Sequence, residues 1–390
     1  MSRPGKSKSK KSPDTQLISA GRDPEAQHGF VNTPVYHGST VLYANADDLF
    51  ANRIRYSYGR RNSPTIEALT GAMSDLENAV GTVLAPSGLA AVTTALLSVC
   101  GAGDHILVAD SVYHPNRHFC DTVLKRMGVE TSYYDPLIGS GIGELFKPNT
   151  KAVFTESPGS LTFEMQDLPA IAEASHKRGA LVLTDNTWAT PYFFKPLDFG
   201  ADISIQAGTK YISGHADVMI GSISANEKAW PGLQATHGAL GLSVGPDDIF
   251  LALRGLRTMG VRLKHHHQSG LAVAKWLQSR AEIGRVLHPA LETDPGYKIW
   301  SRDFSGASGL FAVELKLTAE KNVRTFLDTL ELFGMGYSWG GFESLIVPCD
   351  LRSRTLLPKM AGPVFRLHIG LEDVSDLIAD LEAGLSAINA

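Results

Sequence analysis

Between residues 65 and 80 the apolar side chains Ile66, Leu69, Met73, Leu76 and Val80 recur every three to four positions, with Pro64 just before them. That spacing predicts a helix with one buried stripe, and proline is tolerated at a helix start. Runs of a different texture follow at 82–85, 105–109, 130–134, 152–155, 181–184 and 203–206. Several are continuously apolar, as strands buried on both faces are. Helical stretches such as 90–99 alternate with them, so this part predicts an α/β domain, a mostly parallel sheet covered by helices on both faces. Beyond about residue 250 the pattern changes to a long helical stretch through 279, then strands near 309–317, 344–347 and 364–368, with helices near 323–333 and 374–388. This predicts a smaller C-terminal α/β domain packed on the first.

Length supports the division, because a chain of 390 residues exceeds the roughly 250 to 300 at which single cores stop growing. The expected organisation is a disordered basic leader at 1–13, an N-terminal arm at 14–62, a large domain at 63–255 and a C-terminal domain at 256–390. Hydrophobic residues at 43% and charged residues at 19% are ordinary for a folded body. The net charge of -4 hides an asymmetry, since Arg3, Lys6, Lys8, Lys10 and Lys11 stand in the leader without an acid. Removing that +5 from -4 leaves -9 on the remainder, which repels nucleic acid and acidic membrane surfaces. Neither is expected as a partner. No secretory h-region and no run of about 18 apolar residues occurs, so a cytoplasmic protein is expected.

Cys100, Cys120 and Cys349 are odd in number and widely spaced, which suggests neither a disulfide framework nor a zinc site. His265, His266 and His267 are consecutive, and neighbours on a helix point in different directions, so they cannot converge on one ion. They are expected on a partly solvated face or against another subunit, and no metal is expected. Gly139, Gly141 and Gly143 lack the G-x-G-x-x-G spacing of a dinucleotide fingerprint.

Two strand ends carry candidate chemistry: Leu181-Val182-Leu183-Thr184-Asp185-Asn186, and Ile203 to Gln206 followed by Ala207-Gly208-Thr209-Lys210. In open α/β sheets ligands sit at the carboxyl ends of strands, so Asp185 and Lys210 arrive at one crevice. A lysine can form a Schiff base with an aldehyde cofactor, and a buried carboxylate can keep a pyridinium nitrogen protonated. Taken singly, Asp185 also reads as a loop cap and Lys210 as a solvated lysine. The turn Pro86-Ser87-Gly88-Leu89, between a strand and an apolar helix, offers free N–H groups and a helix dipole to a phosphate. Tyr113, just after the strand that ends near Asp110, could stack on an aromatic ring or simply pack.

The assembled blocks resemble the Cys/Met-metabolism family of pyridoxal-phosphate enzymes from about Leu17 to the C-terminus. The most specific is the run from Asp202 through Lys210 to His215. Supporting ones are Asn32 to Thr40, Tyr58-Gly59-Arg60-Arg61, Asp185-Asn186-Thr187-Trp188, Arg254 to Thr258 and Arg366 to Glu372. The resemblance implies a fold-type I enzyme with pyridoxal 5'-phosphate held covalently by Lys210, which then shuttles protons. It also implies that Tyr113 stacks on the ring and Asp185 pairs with its nitrogen, while Gly88, Leu89 and Thr209 hold the phosphate. Tyr58 and Arg60 would reach that phosphate from a neighbouring subunit through the arm, making a homo-oligomer, at least a dimer and usually a tetramer. Arg366 would grip the substrate carboxylate bidentately, with Ser338 helping. Ala207 and Ala216 depart from the family pattern, in which more polar residues are usual; the first costs one phosphate hydrogen bond.

Which bond is broken rests on Tyr337-Ser338-Trp339. Relatives acting at the γ carbon carry an acid and a leucine where this chain has Tyr337 and Trp339, and the aromatic version resembles the β-cleaving branch. The expected substrate is L-cystathionine, with cystine as an alternative, and the products are homocysteine, pyruvate and ammonia. A γ-lyase or γ-synthase on the same fold, or a cofactor-binding regulator, stays open.

Overall fold

The computed structural model describes residues 11–316, 319–356 and 360–388. Most of the expected basic leader therefore lies outside the described residues, as does residue 317 of the expected strand 309–317. The chain begins with two short helices, α1 (Pro13–Ser19) and α2 (Ala46–Phe50), on an arm that is otherwise largely irregular. Then comes α3 (Pro64–Glu77). Ser63 caps it by accepting from Ile66 N at 3.2 Å, and Pro64 opens it. Its stripe of Leu69, Met73 and Leu76 is buried.

The large domain alternates strands and helices: β1 (Gly81–Ala85), α4 (Gly88–Leu97), β2 (His105–Ala109), α5 (His114–Phe119), β3 (Glu130–Tyr134), β4 (Thr150–Glu156), α6 (Leu168–His176), β5 (Leu181–Asp185), α7 (Thr190–Phe193), β6 (Ile203–Gln206), β7 (Gly221–Ala225) and α8 (Trp230–Leu240). The seven strands lie in the order β1-β7-β6-β5-β4-β2-β3. Only β7 runs against the rest, pairing antiparallel with both β1 and β6. Apolar side chains cover both faces, one cluster including Val92, Leu107, Val153 and Ile205, the other Met73, Val182, Trp188 and Leu256.

β7 was not expected from the pattern. Its sequence Gly-Ser-Ile-Ser-Ala is buried throughout, with the Ser224 hydroxyl bonded to Thr82 Oγ1 at 2.8 Å. Small residues replace the bulk that usually marks a central strand, and of its two serines Ser224 is satisfied by a neighbouring hydroxyl whereas Ser222 Oγ has no partner among the described residues.

The helix α9 (Pro246–Gln278) leads from the large sheet to the smaller domain, and the expected boundary at 255/256 falls within it. The smaller domain holds β8 (Ile283–Leu287), α10 (Tyr297–Asp303), β9 (Leu310–Leu315), α11 (Glu320–Thr329), β10 (Leu345–Pro348), β11 (Val364–His368) and α12 (Val374–Ile388). Its sheet is antiparallel in the order β10-β11-β9-β8. Among the described residues no helix is long and apolar enough to cross a membrane, and no cluster of three or more His, Cys, Asp or Glu could hold a metal ion. Consistent with structural thiols, burial pushes Cys100, Cys120 and Cys349 up to about 12.

Candidate active site

Strands β1, β6, β5, β4 and β2 all point the same way, so their carboxyl ends open on one edge of the sheet. Asp185 ends β5. Its Oδ1 accepts from Thr187 N at 3.0 Å and from Thr187 Oγ1 at 2.6 Å, which leaves Oδ2 without a bond among the described residues. The Thr187 hydroxyl in turn accepts from Ala207 N at 2.8 Å, tying the loop after β5 to the one that carries Lys210. Burial raises the Asp185 carboxyl, opposed by the Thr187 bonds and the Lys210 charge.

Lys210 lies in the turn after β6, its N donating to Ala207 O at 3.0 Å. Its Nζ donates to Ser338 Oγ at 2.5 Å and lies 5.4 Å from the centre of the Trp339 ring, both residues from the smaller domain. Burial, helped by the Arg366 charge and opposed by Asp185, lowers the amine to about 8. Arg366, on β11, donates from Nη2 to Ser338 O at 3.0 Å. Burial lowers its pKa, and both Lys210 and Tyr113 feel its field.

Tyr113 precedes α5 with its ring about half exposed, and its N donates to Glu156 Oε2 at 2.7 Å. Burial raises the phenol, with Glu156 and Asp185 adding to the shift and Arg366 opposing it. Glu156 was not foreseen. It ends β4 directly opposite Asp185 in the register, and burial together with the Asp185 charge pushes its carboxyl well above the usual range. The sequence signal was available, an acid closing an apolar strand just as Asp185 does.

At the other side of the recess, Ser87 caps α4 by accepting from Ala90 N at 3.1 Å. The first-turn N–H groups of Gly88 and Leu89 are those that a helix cannot satisfy internally. A Cβ at Gly88 would stand 2.5 Å from Ala207 Cβ, and one at Gly221 would stand 2.5 Å from Ser87 O. Glycine at these positions lets the helix start sit directly on the lysine loop. An amine, a buried acid and a helix start with free first-turn N–H groups thus stand on adjoining loops, the set of groups that a phosphorylated pyridine aldehyde needs.

Residues 14–386 match the family model described as "Cys/Met metabolism PLP-dependent enzyme". The chain belongs to this family. It is 44% identical over 388 residues to the cystathionine beta-lyase MetC of Escherichia coli strain K12, covering 96% of this chain and 98% of that one. Against the cystathionine beta-lyase of Haemophilus influenzae the figures are 43% over 389 residues, 96% and 98%. The solved structure of a cystathionine gamma synthase from Xanthomonas oryzae pv. oryzae superposes with a TM-score of 0.91 at 32% identity, covering 98% of this chain and 99% of that one. Pyridoxal 5'-phosphate is the cofactor of this family, and the recess fits it.

Other expected family positions stand apart from that group. Thr209 Oγ1 accepts from Ile220 N at 3.0 Å and donates to Ile220 O at 3.2 Å, so its proton must turn from Ile220 to serve a phosphate. Tyr58 and Arg60 line a separate recess of about 300 Å³ with Tyr36, Ser63 and Ile249, and no bond among the described residues links them to Lys210. Tyr337 is 89% exposed, at the edge of an open cleft of about 880 Å³ lined also by Met335, Cys349 and Arg352.

Proposed function

We propose that the chain is a carbon–sulfur β-lyase that converts L-cystathionine and water to homocysteine, pyruvate and ammonia. The observation that carries this reading is the placement of Ser338 and Trp339 on Lys210, with the Nζ bonded to one side chain and set over the ring of the other. Trp339 in that place is the aromatic version that resembles the β-cleaving branch, and the two relatives named as cystathionine beta-lyases are more similar to this chain than the cystathionine gamma synthase is.

When bound, pyridoxal phosphate supplies an electron sink for the pair released at the substrate Cα. This chain's residues do the rest. Gly88 and Leu89 hold the phosphate through backbone N–H groups, Asp185 offers Oδ2 to the ring nitrogen, and Tyr113 covers the ring. Arg366 takes the α-carboxylate. Lys210, brought down to about 8, is more often neutral near pH 7 than an ordinary lysine and removes the Cα proton. The same Nζ returns a proton to the departing sulfur. Ser338 Oγ aims the amine through both transfers.

The arm adds a second element. Phe30, Leu42 and Phe50 are 68%, 85% and 88% exposed. Those apolar surfaces, together with the separation of Tyr58 and Arg60 from Lys210, support a homo-oligomer in which each arm completes a neighbour's phosphate site. Three free thiols support a cytoplasmic setting. Replacing Lys210 with Ala tests the catalytic assignment: turnover should vanish while the protein stays folded. Appreciable activity in that variant contradicts it.

A further inference from the structure

The loop that carries Ser338 and Trp339 rests directly on the backbone of Lys210. Gly340 has a φ of +86°, and a Cβ there would stand 2.9 Å from Lys210 C and 3.0 Å from both Lys210 Cα and Tyr211 N. Only a glycine allows this approach. The group that holds the loop down is His368, two residues beyond Arg366 on β11 and fully buried. Its Nε2 accepts from Gly340 N at 3.1 Å and lies 3.2 Å from Gly341 O.

An imidazole that accepts at Nε2 is neutral and carries its proton on Nδ1. The surroundings keep the ring neutral: burial lowers His368 to about 3, with His266 and Arg366 acting in the same direction, while Nδ1 has no hydrogen-bond partner among the described residues. The ring is packed between others, its centre 5.3 Å from His266 and 6.0 Å from Tyr211. Tyr211, the residue after Lys210, also packs on Trp339 at 5.4 Å. Each ring has its own anchor. His266 Nδ1 donates to Ile369 O across 2.8 Å, and Tyr211 Oη accepts from Gly309 N at 3.1 Å. His266 was expected on a partly solvated face or against another subunit; within this chain it is wholly buried in this cluster.

We propose that His368, seated on His266 and Tyr211, is a positioning residue that fixes Gly340 against Lys210 and thereby sets the Ser338 and Trp339 contacts on the lysine amine. It acts through the loop and touches no substrate. The inference rests on the reading of Lys210 as the cofactor lysine.

The test compares His368→Leu, which lacks an acceptor, with His368→Gln, whose amide oxygen can stand near the Nε2 position. In the cofactor-loaded protein, His368→Leu should keep its cofactor absorbance and lower kcat about 10-fold or more, the loss expected when the released loop gives up the Ser338 bond to the Lys210 amine, with KM nearly unchanged. His368→Gln should recover most of that loss. A second readout needs no substrate: acetic anhydride labelling of Lys210 in the cofactor-free full-length chain, followed by peptide mass spectrometry across pH. The wild-type midpoint should lie near 8. It should move upward in His368→Leu, because a released loop lets water reach an amine that faces Arg366, Asp185 and Tyr113. Should His368→Leu fail to fold, Gly340→Ala, which pushes the loop off Lys210 with His368 intact, should give the same upward shift. Wild-type kcat and an unmoved labelling midpoint in these variants would overturn the proposal, as would equal losses in Leu and Gln without a labelling shift. If the wild type cleaves no thioether, the function reading fails, and the labelling comparison still decides this one.

Discussion

Arg354 Nε donates to Asp110 Oδ2 at 2.7 Å, joining the loop after β10 in the smaller domain to the end of β2 in the large one. Asp110 is completely buried, and its Oδ1 also accepts from Arg117 at 2.6 Å and from Thr355 Oγ1 at 2.7 Å. Arg354 Nη2 meets Glu164 at 2.9 Å. Three residues beyond Asp110 lies Tyr113, and β10 pairs with the strand of Arg366. The clasp therefore ties the loop after β10 to the segment that leads into Tyr113.

Replacing Arg354 with Met should destabilise the protein by roughly 1–3 kcal/mol, since Arg117 and the Thr355 groups still satisfy part of the buried carboxylate. KM should rise as well, because Arg366 loses its fixed distance from Tyr113. Equilibrium urea unfolding and steady-state kinetics measure both. The pH dependence has a definite sign. Burial alone would raise the Asp110 carboxyl, yet the bonds from Arg354, Thr355 and Leu356 hold it well below the usual range. A lowered folded pKa contributes stability that is complete above the unfolded value of about 4 and is lost as pH falls toward the folded one. The stability gap between wild type and Arg354→Met should accordingly be constant near neutrality and close in acid.

Gly88→Ala should weaken cofactor retention. The added methyl would meet Ala207 Cβ at 2.5 Å and prise the start of α4 from the lysine loop. Overpacking of this kind costs about 1–3 kcal/mol. Dialysis followed by cofactor absorbance should show faster loss than in wild type, and unchanged retention would contradict the phosphate assignment.

Asp185→Asn should lower kcat by roughly 10- to 100-fold, the scale of one charge-assisted hydrogen bond at 1.5–3 kcal/mol. Substrate binding through Arg366 should be little affected. A change confined to KM would place Asp185 outside the chemistry.

Much of the fold was legible: β2 is a short apolar run whose bounds the pattern marks well, and β3, β6, β11 and α12 also lie where the sequence places them. Lys210 meets Ser338, and Arg366 bonds to the same residue, because the carboxyl ends of parallel strands open at one edge and the smaller sheet faces them. Less legible features have physical reasons. β8 carries Gly284 and Arg285 and a register shift after Ile283, so neither alternation nor bulk announces it. Glu156 lies one residue past the expected end of its strand. His368 is apparent only in three dimensions, since its task is to hold a loop that is distant in sequence. Tyr58 and Arg60 cannot complete this chain's own recess if, as proposed, they serve a neighbour's.

The most direct measurement is product analysis after incubating the cofactor-loaded protein with L-cystathionine, separating keto acids from thiols. Pyruvate together with homocysteine is the predicted result. Formation of 2-oxobutyrate and cysteine instead would contradict the β-cleavage reading and move the chain to the γ branch of its family.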